Sequence, residues 1–83
     1  MQVDLESILV KETFEYLSDK EILRRLFEKY CPEIDAYTHV EEVSSFGIYV
    51  SNNARLYNVI TDIASLAEAR WFIKGNKLYY MKK

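Results

Sequence analysis

The sequence predicts an α+β domain in which two helices pack on one face of a small mixed sheet. Two segments carry apolar side chains at helical spacing, and strand-like segments of alternating or aromatic-rich composition surround them. Near the C-terminus, two aromatic-rich segments flank a Gly-Asn dipeptide, which is typical of a β-hairpin. The predicted order of elements is therefore β-α-β-β-α-β-β, with both helices covering the same side of the sheet.

The length of 83 residues suits one domain, so residues 1–83 are predicted to form a single domain. Hydrophobic residues make up 49% of the chain, which indicates a folded rather than a disordered protein. A domain of this size buries only about 60% of the surface of its unfolded chain. Because the chain also begins and ends in strand-like sequence, we expect it to be part of a larger protein.

The first strand and the first helix follow one another directly. Ser7–Tyr16 is rich in strand formers, and Ile8, Val10 and Phe14 are expected on one side of it. Ser18–Glu21 has the pattern of a capping box, in which a serine and a glutamate three residues later satisfy the first amides of a helix. That helix should end before Pro32, because the residue preceding proline avoids the helical region.

The middle of the chain supplies further strands and a predicted turn. Glu33–Val43 suggests a short strand and a polar turn, and Ser45–Ser51 suggests a strand with Ile48 and Val50 facing inward. The pair Asn52-Asn53 predicts a turn that also caps the second helix.

The second helix leads into the hairpin, which spans Ala69–Ile73 and Leu78–Met81 around Gly75-Asn76. Together with the first helix, these elements define the expected core. Its members are Ile22, Leu23, Leu26, Phe27, Ile48, Val50, Leu56, Val59, Ile60, Ile63 and Trp71.

No set of residues in the sequence has the pattern of a catalytic or metal site. His39 is the single histidine and is interpreted as a surface residue, while Gly47 and Gly75 are too far apart to form a phosphate-binding loop. Cys31 is the single cysteine, which excludes an internal disulfide and a cysteine-based zinc site. We therefore expect no enzymatic activity, no cofactor, no metal and no small-molecule substrate.

Nucleic acid and membrane are not the expected partners. The net charge of −2 lacks the excess of basic residues typical of nucleic-acid-binding domains. Phe46–Val50 resembles the central strand motif of RNA-recognition domains, but Ser44 and Ser45 replace its basic residue and its glycine. An RNA-binding domain is kept as an alternative of another class. The first twelve residues have neither a basic start nor a long apolar run, so we expect no signal peptide and no membrane span.

Two segments carry a resemblance to a known class of proteins. Leu56–Ala64 and Ala69–Tyr79 resemble a recurrent segment of bacteriophage tail-tip and baseplate hub proteins. There a helix ending in a leucine- or isoleucine-alanine pair leads into a W-x-I/V strand, a turn and an L-x-Y/F strand. Upstream, Val3–Leu5 is similar to the V-D-Y start of that domain, and Glu12–Phe14 matches its E-x-Y strand.

The resemblance implies a structural module of a phage or prophage tail, located in the virion tail and partnered by other domains or subunits of the assembly. The chain departs from the pattern at Leu5, where tyrosine is common, and at Ala69, where glycine is common; it also lacks the usual arginine pair in the first strand. The same order of elements resembles the small N-terminal domains of secretins and TonB-dependent receptors, and a secretin-type periplasmic ring domain is the alternative within the docking class.

The hairpin indicates where such docking would occur. Side chains alternate between the two faces of a strand, and two helices can cover only one face. Phe72, Tyr79 and Met81 are therefore predicted to lie on an open face that binds a neighbouring domain or subunit. The alternative is that these side chains are half-buried beneath the stems of nearby lysines.

Overall fold

The computed structural model describes residues 4–83, and it confirms the α+β class and the predicted β-α-β-β-α-β-β order, in which the second strand is present only as two isolated bridges. Val3, the first residue of the predicted V-D-Y match, lies outside the described residues. The regular elements are β1 (Leu9–Ser18), α1 (Asp19–Tyr30), β2 (Ser45–Arg55), α2 (Leu56–Ala67), β3 (Ala69–Lys74) and β4 (Lys77–Lys82).

The strands form two antiparallel pairs, β1 with β2 and β3 with β4, rather than one continuous sheet. The strand expected within Glu33–Val43 is reduced to two isolated parallel bridges, Asp35 with Lys77 and Val40 with Tyr80. The chain turns between these bridges, where the Asp35 carboxylate accepts hydrogen bonds from the amides of Tyr37 and Thr38. This segment therefore runs beside β4 without forming a regular strand.

Helix α1 begins and ends as its sequence predicts. The Ser18 hydroxyl accepts a hydrogen bond from the Glu21 amide at 3.2 Å, and the Cys31 amide donates to the Phe27 carbonyl where the helix ends. Cys31 is buried, and this burial raises the pKa of its thiol. The cysteine thus behaves as a small core residue.

Strand β2 presents the opposite face to the core from the one predicted. Ile48 and Val50 were expected inside but are 66% and 60% exposed, whereas Tyr49 and Ser51 are buried. The inward residues each find a polar partner: the Tyr49 hydroxyl donates to the Asp62 carboxylate at 2.9 Å, and the Ser51 hydroxyl donates to the Val10 carbonyl. Since side chains alternate along a strand, burying Tyr49 and Ser51 turns Ile48 and Val50 to solvent.

The junction between β2 and α2 also differs from the prediction. Asn52 and Asn53 lie within β2, where Asn53 has a φ of 59° beside a shift in the register with β1. Neither asparagine caps α2. Instead, the Leu56 amide donates to the Ile8 carbonyl at 2.8 Å and the Tyr57 amide donates to the Leu5 carbonyl. Backbone from the N-terminal segment therefore satisfies the first amides of the helix.

The C-terminal hairpin forms as predicted, with Lys74 opposite Lys77 and a two-residue loop between them. Gly75 has a φ of 63°, while Asn76 is not among the residues with positive φ. Glycine at the first central position is the pattern of a type II′ turn, whose twist matches that of the two strands.

The core lies between the helices and the inner sides of the two strand pairs. The predicted helical residues Ile22, Leu23, Leu26, Phe27, Leu56, Val59, Ile60 and Ile63 are all at most 1% exposed. Trp71 was expected in the core as well, but it is only half-buried and makes an edge-on contact with the Tyr57 ring at 5.3 Å. Tyr80, fully buried, is the large aromatic side chain that the hairpin contributes to the core.

Candidate docking surface

One face of the β3–β4 hairpin points away from the helices. On the inner face, Leu78 and Tyr80 are fully buried. The residues that alternate with them form what we call the outer hairpin face, defined by Arg70, Phe72, Lys74, Lys77, Tyr79 and Met81. The three residues predicted for docking, Phe72, Tyr79 and Met81, thus lie together on one surface.

Three aromatic rings stack in sequence on this face. Phe72 and Tyr79 are cross-strand partners whose ring centroids lie 4.9 Å apart with planes inclined by 6°. The opposite side of the Tyr79 ring stacks on His39, with centroids 4.4 Å apart and planes inclined by 18°. Pairs of this kind contribute about 0.5–1.5 kcal/mol beyond the burial of their area. Tyr79 is therefore fixed between two rings, while Phe72 at the end of the stack is 46% exposed.

His39 reaches this position because Asp35 organises the loop before it. The Asp35 carboxylate accepts hydrogen bonds from the Thr38 hydroxyl at 2.6 Å and from the amides of Tyr37 and Thr38. These donors, the Thr38 hydroxyl first, lower the pKa of Asp35 to about 2. The Tyr80 amide then donates to the His39 carbonyl, which fixes the backbone of the loop beside β4.

The aromatic stack is bordered by positive charge. Arg70 lies opposite Met81 on the outer hairpin face, and Lys74 lies opposite Lys77 beside the turn. Among residues 4–83, the salt bridges lie within α1 and between α1 and β1, so none of these three cations takes part in one. The face therefore combines exposed aromatic surface with cations that are available to a partner.

Arg70 on the outer hairpin face and His39 beside it were not identified from the sequence. Arg70 follows from period-two alternation with Phe72, so the same pattern that selected Phe72 could have selected it. His39 had no local signal, since its position depends on a segment that folds back beside β4. Three acidic residues of the same segment do not contribute a further site: Asp35 orders the loop, and Glu41 and Glu42 are exposed.

A second exposed apolar pair lies on the other strand pair. Ile48 and Val50 face solvent on β2, where their cross-strand neighbours on β1 are Glu15 and Thr13. This patch contains two aliphatic side chains and no ring stack. It provides a natural comparison for the outer hairpin face.

Other kinds of site are not seen in the part of the chain that the structure describes. Residues 4–83 contain no cluster of three side chains suited to hold a metal ion. No helix in the same range is long and apolar enough to cross a membrane.

Comparison with known proteins leaves the family open. No protein-family profile, no curated protein and no solved structure matches this chain.

Proposed function

We propose that this chain is a structural assembly module that binds another protein through the outer hairpin face. The observation that carries the proposal is the stack of Phe72, Tyr79 and His39, in which Phe72 is exposed and the other two rings are half-buried. Aromatic side chains held in place lose little conformational entropy on binding, and they are enriched where proteins meet.

The chemistry of the surface defines the partner. Arg70, Lys74 and Lys77 border the rings, so the complementary surface should combine an apolar centre with acidic side chains around it. The resemblance described above suggests the setting, a tail-tip or baseplate hub of a phage or prophage, where the partner would be another domain or subunit of the tail. A secretin-type ring domain would use the same face for docking in a different assembly.

RNA is the second candidate, favoured by one observation. Aromatic rings on a sheet surface with nearby cations are also what single-stranded RNA binds. The net charge of −2 and the absence of the complete strand motif favour protein instead. In a gel-shift assay with mixed RNA at low salt, we expect no retardation; retardation that is lost steeply as salt rises would favour RNA.

The assembly test removes the aromatic stack without disturbing the core. The double variant Phe72→Ser, Tyr79→Ser is introduced into the gene in its genomic setting, and tail particles are counted by electron microscopy. Ile48→Ser, Val50→Ser is the matched control, because it removes two exposed apolar side chains from the other strand pair. We expect loss of particles for the first pair alone, with circular dichroism showing that both variants fold. Normal particle numbers from a folded Phe72→Ser, Tyr79→Ser variant would overturn the proposal.

A further inference from the structure

One edge of the C-terminal hairpin is hydrogen-bonded to the segment before β2, whereas the other makes no such bonds within residues 4–83. On the β4 side, the Leu78 amide donates to the Asp35 carbonyl and the Tyr80 amide donates to the His39 carbonyl. The backbone groups of Leu78 and Tyr80 therefore point away from β3. Their cross-strand partners, Ile73 and Trp71, occupy non-hydrogen-bonded pair positions, so their own N–H and C=O groups point away from β4.

These outward groups on β3 have no hydrogen-bond partner among the residues described. The backbone and side-chain hydrogen bonds of residues 4–83 include none to the outward N–H or C=O of Trp71 or Ile73. A groove of about 480 Å³ runs beside them. Three consecutive residues, Trp71–Ile73, line one wall, which places the groove along the edge of the strand rather than on one face. The lining of the groove also includes Leu5 and Tyr57.

We propose that β3 binds an extended peptide segment of a partner protein, which adds to this edge as a further strand. Two residues at positions i and i+2 present paired donors and acceptors at the repeat of a β-strand, and an extended backbone is the ligand that satisfies them in register. The groove accommodates the side chains of that segment on one side. This binding site is distinct from the outer hairpin face, because it uses backbone groups rather than the aromatic stack.

The other strand pair is less suited to the same use. Its register shifts between Val10 and Lys11, and Tyr16 and Asn53 have left-handed backbone conformations. Bulges and twisted positions of this kind interrupt the regular row of edge groups. None of the described positive-φ residues or register shifts falls within β3.

Charge argues against a second copy of this chain as the occupant. Antiparallel pairing of β3 with itself about Phe72 would place Trp71 opposite Ile73, which suits the hydrogen bonds. The same pairing would place Arg70 opposite Lys74 twice, and like charges directly opposite each other are destabilising. A partner strand is therefore favoured when it carries acidic side chains opposite Arg70 and Lys74.

The residues that line the groove determine which side chains the bound segment can carry opposite Trp71 and Ile73. Leu5 and Tyr57 line the groove together with Trp71 and Ile73, and the acidic residues Asp4 and Glu6 belong to the same lining. Acidic side chains are disfavoured there, and apolar ones fit. The ligand is thus an extended segment that alternates apolar residues facing the groove with polar or acidic residues facing outward.

A synthetic peptide tests this site directly. The probe is acetyl-Glu-Val-Thr-Val-Glu-amide, and its matched control carries N-methyl groups on both valines, which removes the amide donors and keeps the side chains. With the ¹⁵N-labelled full chain, we expect the first peptide at about millimolar concentration to shift the Trp71 and Ile73 amide signals. We also expect it to slow hydrogen exchange of those two amides about tenfold. No change at these amides, or equal binding of the N-methylated peptide, would overturn the proposal.

A pair of protein variants gives an independent readout. Ile73→Pro removes an N–H that points to solvent, a position at which edge strands tolerate proline, whereas Ile73→Ala keeps the N–H and shortens the side chain. We expect the alanine variant to bind the peptide and the proline variant to lose binding while retaining the hairpin signals. Unchanged binding by a folded Ile73→Pro variant would contradict the proposal, and if that variant fails to fold, the N-methylated peptide remains decisive. Failure here would leave the assembly test intact, since that test changes only outward side chains.

Discussion

The phenolic hydroxyl of Tyr80 donates a 2.7 Å hydrogen bond to the carboxylate of Asp19, and both residues are fully buried. The same carboxylate accepts hydrogen bonds from the amides of Val43, at 3.0 Å, Ser44, at 3.1 Å, and Lys20, at 2.9 Å. Asp19 is in the first turn of α1, where the helix dipole favours negative charge. One carboxylate therefore joins the first helix, the segment entering β2 and the last strand.

Replacing Asp19 should destabilise the fold more than replacing a carboxylate with a single partner. Asp19→Ala leaves three amides and a buried hydroxyl without their acceptor, and we expect a loss on the order of 3 kcal/mol in the free energy of unfolding. Asp62→Ala is the matched control, because it removes only the partner of Tyr49, and it should cost about 1 kcal/mol. Urea unfolding measures both. Equal losses in the two variants would contradict the central role of Asp19.

Stability should fall in alkaline solution because of two buried tyrosines. Burial raises the pKa of Tyr80 and of Tyr49, and the hydrogen bonds to Asp19 and Asp62 raise each pKa further. Above about pH 10 the unfolded chain releases these protons while the folded chain keeps them, so the free energy of unfolding decreases as pH rises. Thermal unfolding should show this decline.

The variant Tyr80→Phe checks the origin of that dependence. It removes one of the two buried phenol groups whose pKa is raised, so the stability of the variant should depend less steeply on alkaline pH than that of the wild type. Tyr16→Phe removes a tyrosine that is 81% exposed and serves as the control with wild-type behaviour. Identical slopes for Tyr80→Phe and wild type would exclude this explanation.

Alanine substitutions in the helices and in β2 should distinguish side chains that are buried from side chains that were only expected to be buried. Leu26→Ala and Ile60→Ala each create a cavity at a fully buried position and should cost about 2–5 kcal/mol. Val50→Ala, at a position first expected inside, should change stability by no more than about 0.5 kcal/mol. Melting temperatures measure the contrast. A strongly destabilised Val50→Ala variant would mean that β2 presents its other face.

The loop that carries His39 should keep its Asp35 hydrogen bonds until the pH falls to about 2. The pKa of Asp35 is lowered to about 2, so the bonds that its ionised form makes to Thr38 and Tyr37 are present above the unfolded pKa and are lost as pH falls through about 2. The Thr38 amide signal should titrate with that midpoint in NMR spectra.

In Asp35→Ala, we expect the His39 ring signals to lose the ring-current shift from Tyr79 at neutral pH. Unaltered His39 signals would show that the loop is held by other contacts.

The sequence predicts the helices well because their signals are local. The Ser18 cap and the 3.6-residue apolar period place α1, and the period alone places the buried face of α2. Strand β2 offers two candidate faces, since Ile48 and Val50 alternate with Tyr49. The choice depends on Asp62 and on the Val10 carbonyl, both distant in sequence, so alternation alone could not decide it.

In the candidate docking surface too, the features set by local sequence were predictable and those set by long-range contacts were not. The sequence correctly places Phe72, Tyr79 and Met81 on one face because a hairpin fixes the faces of its own strands, while their role in docking stays a prediction. The stacking of His39 depends on an aspartate-ordered loop lying beside β4, which is a long-range pairing without a pattern of its own. The sequence likewise does not predict the role of Asp19, since one carboxylate in the first turn of a helix is common and its partners come from three parts of the chain.

The backbone bonds from Leu56 and Tyr57 to the carbonyls of Ile8 and Leu5 bear on how the molecule folds. Helix α2 supplies much of the core, yet its opening turn is completed by residues from the other end of the chain. Contacts between residues so far apart in sequence raise the contact order and slow the search for the native state. A fragment beginning at Leu56 lacks these two acceptors, so we expect circular dichroism to show less helix in its first turn's share of the signal than in the full chain.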